Sequence, residues 1–221
     1  MLILLPPSEG KANPESGKKL NLSKLSFSEF LTEVRASQLT KVIDLDFCLP
    51  AHQIYTGVLY QALGYESLSA TARKRADKSV VIISALMGLV RLNDFIPSYK
   101  KKIKISEWKS DVTDALDSLN EKLIIDCRSS TYSGVWFPDP SRTIAIRVFQ
   151  IKDGKRSVIT HMSKKYRGEV ARCLLKSSVT PKTVSDVCRL VSQEYKCEFT
   201  QNTEDEPAYL DLLIPAVNLK P

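Results

Sequence analysis

Short apolar runs, cut off by proline or glycine and separated by stretches of helical spacing, set the pattern of this chain. Met1–Leu5 is continuously apolar and ends at Pro6-Pro7, which predicts a buried strand. Ser8–Lys19 is polar and holds Gly10, Pro14 and Gly17, so it predicts a loop. Phe27, Phe30, Leu31 and Val34 recur at helix spacing. Ile54–Leu63 predicts a helix entered at Gly57, and LSATARKRA a basic helix capped by Ser67. Val80–Ile83 is β-branched throughout and predicts a central strand. Trp108, Val112, Leu116 and Leu119 share one face of a helix over Glu107–Leu119, and Leu123–Cys127 predicts another buried strand. Thr143–Ile151 partly alternates, and Asp153-Gly154 turns it into a second strand over Arg156–Thr160. A helix follows His161 and buries Tyr166, Val170 and Leu174. Thr180-Pro181 starts a last helix, and Tyr209–Ile214 a last strand. Strands and helices alternate early and a hairpin comes late. This order predicts a mixed α/β (α+β) fold, one domain over residues 1–221, without repeats or a dividing linker.

Composition narrows the class. The 221 residues are 43% hydrophobic and 26% charged, as in an ordinary soluble globule. Lys plus Arg number 32 against 25 acids, a net charge of +7 that suits a phosphate-bearing partner without requiring one. The five cysteines include no C-x-x-C pair, and Cys127, Cys173 and Cys188 sit in apolar contexts. That usage predicts free thiols in a reducing cytoplasm. No stretch approaches the ~20 apolar residues of a membrane span, and MLILLPP has no basic segment ahead of it to act as a signal peptide.

Candidate chemistry gathers in a few segments. PPSEGK, at 6–11, lacks the first glycine and the Ser or Thr of a phosphate loop, yet a polar loop after the first strand can present Ser8, Glu9 and Lys11 to a cleft. Arg91, Asp94 and Tyr99 follow the apolar run that starts at Val80. The late helix opens with Lys164, Lys165 and Arg167 and returns Arg172 and Lys176. Cations in a first turn oppose the helix dipole by roughly 0.3–1 kcal/mol each, so a bound anion or nearby carboxylates must compensate. Lys100–Lys104 and Arg73–Arg75 are two further basic clusters. Tyr55, Tyr99, Tyr132 and Trp136 flank these charges and either stack bases or close the core. His52 and His161 lack companions at ligand spacing, so no metal and no cofactor are expected. A structural role is the simpler reading of His161. No G-x-S-x-G motif marks a nucleophile.

In order along the chain stand PPSEGK, YTG at 55–57, SAL-x-GL-x-R-x-x-D-x-x-x-x-Y from Ser84 to Tyr99, Trp108, IDCRSSTY and K-K-x-R-G-x-x-A-R at Lys164–Arg172. Together they resemble the YaaA family of bacterial peroxide stress proteins. The resemblance implies a mixed α/β fold with a positively charged cleft, cytoplasmic action under hydrogen peroxide, and limitation of iron-driven damage. It also implies DNA binding through a helix-hairpin-helix element before YTG. Here the chain departs, because Lys24–His52 is short and has no glycine for that hairpin. The basic cleft is then the route to DNA or another polyanion. Ser8, Lys11, Tyr55, Thr56, Arg91, Tyr99, Arg128, Lys165, Arg167 and Arg172 are its expected binding residues. The alternative is an enzyme acting on a nucleotide, nucleobase or small phosphorylated substrate. In it Glu9 or Asp94 would be the general acid/base, with Lys164 as charge stabiliser or nucleophile.

Overall fold

A computed structural model describes residues 1–39, 43–158 and 162–215. The strands are β1 (Leu2–Leu5), β2 (Leu49–Pro50), β3 (Val80–Ser84), β4 (Gly88–Val90), β5 (Phe95–Ile96), β6 (Ile124–Asp126), β7 (Thr143–Lys152), β8 (Lys155–Val158), β9 (Cys197–Thr200) and β10 (Ala208–Pro215). The helices are α1 (Ser28–Gln38), α2 (Ala51–Ile54), α3 (Val58–Leu63), α4 (Ala70–Ser79), α5 (Ile105–Asp117), α6 (Ser130–Ser133), α7 (Ser163–Lys176) and α8 (Val184–Val191). One mixed sheet runs β4-β3-β1-β6-β7-β10-β9, and β8 pairs with the second half of β7. Its five central strands, β3 to β10, are parallel, while β4, β8 and β9 are antiparallel to their neighbours. β2 and β5 form a separate two-stranded ribbon.

The buried runs build two cores because successive strand residues point to opposite faces. Ile3, Leu5, Val80, Ile82, Ile125, Ile144 and Ile146 face α3, α4, α7 and α8. Leu2, Leu4, Val81, Ile83 and Ile124 face α1 and α5, where Leu31, Trp108 and Val112 are fully buried. Burial on both faces explains why these strands read as unbroken apolar runs.

The mixed α/β class stands as read, with local corrections. Ser69, not Ser67, caps α4, its hydroxyl accepting from the Ala72 amide at 3.3 Å. Ser67 instead donates to the Gly64 carbonyl at 2.7 Å. The last helix starts at Thr183 rather than Thr180-Pro181, because Thr183 and Asp186 complete a reciprocal capping box. The Asp153-Gly154 turn forms with φ of 50° and 72°, the left-handed pair a two-residue hairpin requires. Short β2, β4, β5 and β9 escaped prediction, since two to four residues leave no period to read. His161 and the end of the strand read to Thr160 lie outside the described residues. No helix among the described residues is long and apolar enough to cross a membrane.

Candidate functional site at the strand ends

The connection after β1 leads to β3 on one side, and that after β6 leads to β7 on the other. This reversal opens a crevice at the carboxyl ends of β1 and β6, where open α/β sheets bind ligands. Two loops border it, 6–11 and 127–137.

The PPSEGK loop is stitched to YTG by backbone bonds. The Thr56 amide donates to the Gly10 carbonyl at 3.1 Å, and the Ala12 amide to Ile54 at 2.8 Å. Ser8 Oγ accepts from the Gly57 amide at 2.9 Å, and a Cβ at Gly57 would stand 2.3 Å from that oxygen. A side chain there would have to push the Ser8 hydroxyl aside. Tyr60 Oη fixes the loop's start by donating to the Pro6 carbonyl at 2.7 Å.

Behind the loop lies a chain of buried hydroxyls. Tyr55 Oη and Tyr99 Oη are 3.0 Å apart, and Tyr99 Oη is 2.9 Å from Ser84 Oγ. Ser84 Oγ also accepts from the Met87 amide at 3.1 Å. Burial pushes both phenols above their ordinary range. Lys11 Nζ donates to the Ser8 carbonyl at 2.6 Å and stands 4.3 Å from the centre of the Tyr99 ring. Burial lowers its pKa, and Glu9 pushes it back up.

A groove of about 410 Å³ is lined by Ser8, Glu9, Lys11, Tyr99, Lys100, Lys101, Lys102 and Tyr132. A smaller one of about 180 Å³, on the other side of Pro7–Glu9, adds Lys164. A third, about 570 Å³, adjoins at Tyr99, Lys100 and Lys101. Glu9 is solvated, its side chain 96% exposed, with Lys164 Nζ 3.8 Å away. Burial, then Tyr99 and Glu9, carries Tyr132 up to about 12.

The structure therefore brings together Ser8, Glu9, Lys11, Tyr99 and Lys164, with Tyr55 and exposed Thr56 just behind. The other predicted residues are engaged within the protein, Arg128 on the bordering 127–137 loop and the rest away from the groove. Arg128 is locked by Asp126 through bonds of 2.9 and 2.7 Å and donates to the Trp136 carbonyl at 3.0 Å. Arg172 donates to the Leu63 and Gly64 carbonyls at the end of α3, at 2.8 and 2.9 Å. Arg91 does the same for α4 through the Lys78 carbonyl at 2.6 Å. Arg167 Nε donates to the Ile146 carbonyl at 3.3 Å, and Lys165 pairs with Glu169 at 3.5 Å. Asp94 is a loop clamp: Oδ1 accepts from the Ser26 amide and hydroxyl at 3.1 and 3.0 Å, and Oδ2 from the Arg91 amide at 2.8 Å. Ser84 was missed, since a small polar residue closing a buried strand looks like a strand end. Among the described residues no group of three His, Cys, Asp or Glu is placed to hold a metal ion.

The family model for the peroxide stress protein YaaA matches residues 18–201. The chain belongs to the YaaA family. A UPF0246 protein of Corynebacterium efficiens is 35% identical, over 86% of this chain and 92% of its own. One from Streptomyces coelicolor is 31% identical, over 82% and 85%. An uncharacterized protein of Campylobacter jejuni is 33% identical over 57% of this chain and 53% of its own. YaaA membership supports a role in the peroxide stress response. The match takes in YTG, Arg91–Tyr99 and α7 but begins after PPSEGK. The glycine of K-K-x-R-G has a packing reason: a Cβ at Gly168 would stand 2.2 Å from the Leu59 carbonyl oxygen, so it lets α7 seat against α3. Among the described residues between α1 and the four-residue α2, 43–50 carry no helix.

Proposed function

We propose that this YaaA protein acts in the cytoplasm under peroxide stress by holding the phosphates of DNA, or another polyanion, along the crevice groove, limiting iron-driven oxidation of what it covers. The observation that carries this reading is the convergence of Lys11, Lys100 and Lys102 on one groove, with Lys164 across the Pro7–Glu9 loop. Lysines on loops make sequence-independent phosphate contacts, and Tyr132 adds a ring for an unstacked base. Replacing Lys100, Lys102 and Lys164 together by Ala should weaken duplex binding more than tenfold at 50 mM salt, read by fluorescence anisotropy. The same variant should fail to rescue peroxide-sensitive cells. Duplex affinity equal to wild type would remove the groove from the function.

A second reading is favoured by Lys11, a desolvated amine above the Tyr99 ring and beside Glu9. A lysine with lowered pKa is suited to acid/base or nucleophilic work on a nucleotide or small phosphorylated molecule. Glu9→Gln separates the two. A binder keeps or gains DNA affinity and keeps peroxide protection, whereas an enzyme loses protection while binding persists.

A further inference from the structure

Beyond β6 the sheet is built differently. β8, β7, β10 and β9 lie side by side, the central pair parallel and each outer strand antiparallel to its neighbour. One face buries Ile146, Val148, Leu210 and Leu212 in the core shared with α7 and α8. The other presents Arg147 and Phe149 from β7, Arg156 from β8, and Tyr209 and Asp211 from β10. All but Asp211 remain partly or largely exposed.

The guanidiniums and rings on this face alternate within cation–π distance. The Arg147 guanidinium carbon lies 3.9 Å from the centre of the Tyr209 ring and 5.7 Å from that of Phe149. The Arg156 guanidinium carbon lies 3.6 Å from the Phe149 ring centre. Tyr209, Arg147, Phe149 and Arg156 thus form a ladder across three strands. Beneath it the buried Asp211 carboxylate takes two bonds from Arg147, at 2.6 and 2.8 Å, and another from Arg156. The carboxylate fixes both planes, and the two arginine side chains stay 38% and 36% exposed. Asp211 and exposed Glu198, which pairs with Arg156 at 3.0 Å, balance the two guanidiniums, and Glu206 accepts from Tyr209 Oη, so the positive charge at this edge comes from the hairpin lysines. Lys152 and Lys155 stand exposed on either side of the hairpin turn.

We propose that this face is a second nucleic-acid site, distinct from the crevice groove, that takes single-stranded RNA or DNA. Unpaired bases stack on the ladder, and Lys152 and Lys155 receive the phosphates. Aromatic rings and guanidinium planes hold unpaired bases with little sequence preference. Helices on one side of a four-stranded sheet, with aromatics on its two central strands, are the disposition RNA-recognition modules use. A duplex hides its base faces, so the site discriminates against it. A protein partner fits less well, because two guanidiniums and a buried carboxylate interrupt the apolar surface.

Anisotropy of fluorescein-labelled rU20 and dT20 on the full chain at 50 mM salt tests this. Tyr209→Leu and Phe149→Leu should each weaken binding about tenfold, with unchanged circular dichroism. Should either variant melt, Arg156→Lys, which keeps the charge but loses the plane, should still weaken binding several-fold. Lys100→Ala with Lys102→Ala, which removes phosphate contacts in the groove, should weaken rU20 and dT20 binding less than either ladder variant does. Tighter binding of rU20 or of dT20 tells which strand is preferred. Folded ladder variants that bind as wild type, or a wild-type chain that ignores both oligonucleotides, would overturn the site. So would loss of binding in the groove variant alone, which would move single strands to the groove and leave the proposed function intact. A dimer in sedimentation that Tyr209→Leu dissociates would also overturn it, since the face would then be covered by a second copy.

Discussion

Ser8 and Gly57 show how closely single atoms fix the crevice loop. The Ser8 hydroxyl accepts the Gly57 amide at 2.9 Å, in the space a Cβ at 57 would need. Ser8→Ala should cost about 1 kcal/mol for the lost bond, and Gly57→Ala about 1–3 kcal/mol for the clash. The double variant should be more stable than the sum predicts, because removing the hydroxyl also removes the obstacle. Urea unfolding of all four proteins measures this, and strict additivity would mean that the loop yields elsewhere. The buried tyrosines make a second prediction. Burial raises Tyr55, Tyr60 and Tyr99 above their ordinary value. The native state therefore holds protons that the unfolded chain releases near pH 10, so their stability is present below that pH and lost above it. Lys11, lowered by burial, works the other way just below its ordinary value, but burial raises Tyr65, Tyr132 and Tyr195 as well. The urea midpoint should fall steeply above about pH 10, and less steeply in Tyr55→Phe. A fall as steep in Tyr55→Phe as in the wild type would contradict the contribution of Tyr55. The thiols make a third. Burial raises Cys127 and Cys173 to about 12 and Cys48 and Cys197 to about 11. Alkylation at pH 7.5 should be slow at all four, and millimolar peroxide should leave them reduced by mass spectrometry.

At the scale of elements, arginines close helix ends. Arg172 caps α3, Arg91 caps α4, and Arg75 caps α7 by donating to the Leu175 and Ser177 carbonyls at 2.8 and 2.6 Å. The last carbonyls of a helix lack partners inside it, and the dipole favours a cation there. This is where the sequence was hardest to read. A guanidinium bound to the carbonyls of a distant helix, as at Arg91 and Arg172, or to a carboxylate two residues back, as at Arg128, leaves the same letter as one awaiting phosphate. The long elements were legible because burial on one or two faces imposes a period, as in α5 and β3. The start of α8 was not, because Thr180-Pro181 imitates a cap and only the Thr183–Asp186 pairing decides between them. Arg172→Met should lower stability by about 1–2 kcal/mol and leave duplex affinity unchanged. Weakened duplex binding in a folded Arg172→Met protein would return that residue to the anion site.

Over the whole molecule, the count of 32 Lys and Arg overstates the cations a polyanion can meet. Arg35, fully buried, donates to the Met87 and Leu89 carbonyls, and its burial lowers its pKa to about 10. Arg128 and Arg147 are held by carboxylates, and Lys101 and Lys104 by Glu107. Of the crevice lysines, Lys101 is turned to Glu107, while Lys11, Lys100 and Lys102 line the groove and Lys164 lies across the loop, 3.8 Å from the exposed Glu9 that a phosphate would displace. The crevice itself was half legible. A polar loop after an apolar strand announced Ser8, Glu9 and Lys11, but its partner loop and the Lys100–Lys102 wall depend on the strand order, which no local pattern carries. Counterion release turns this count into a measurement. Each neutralised duplex phosphate contributes a slope of about −0.9 to log affinity against log salt, so four lysines predict a slope of about −3 to −4. If the net charge acted as a whole, the slope would be about −6. Duplex affinity titrated between ~50 and ~200 mM salt separates these values. Lys100→Ala with Lys102→Ala should make the slope shallower by about 2. A wild-type slope near −6, unmoved by that pair, would place the duplex on another face of the molecule.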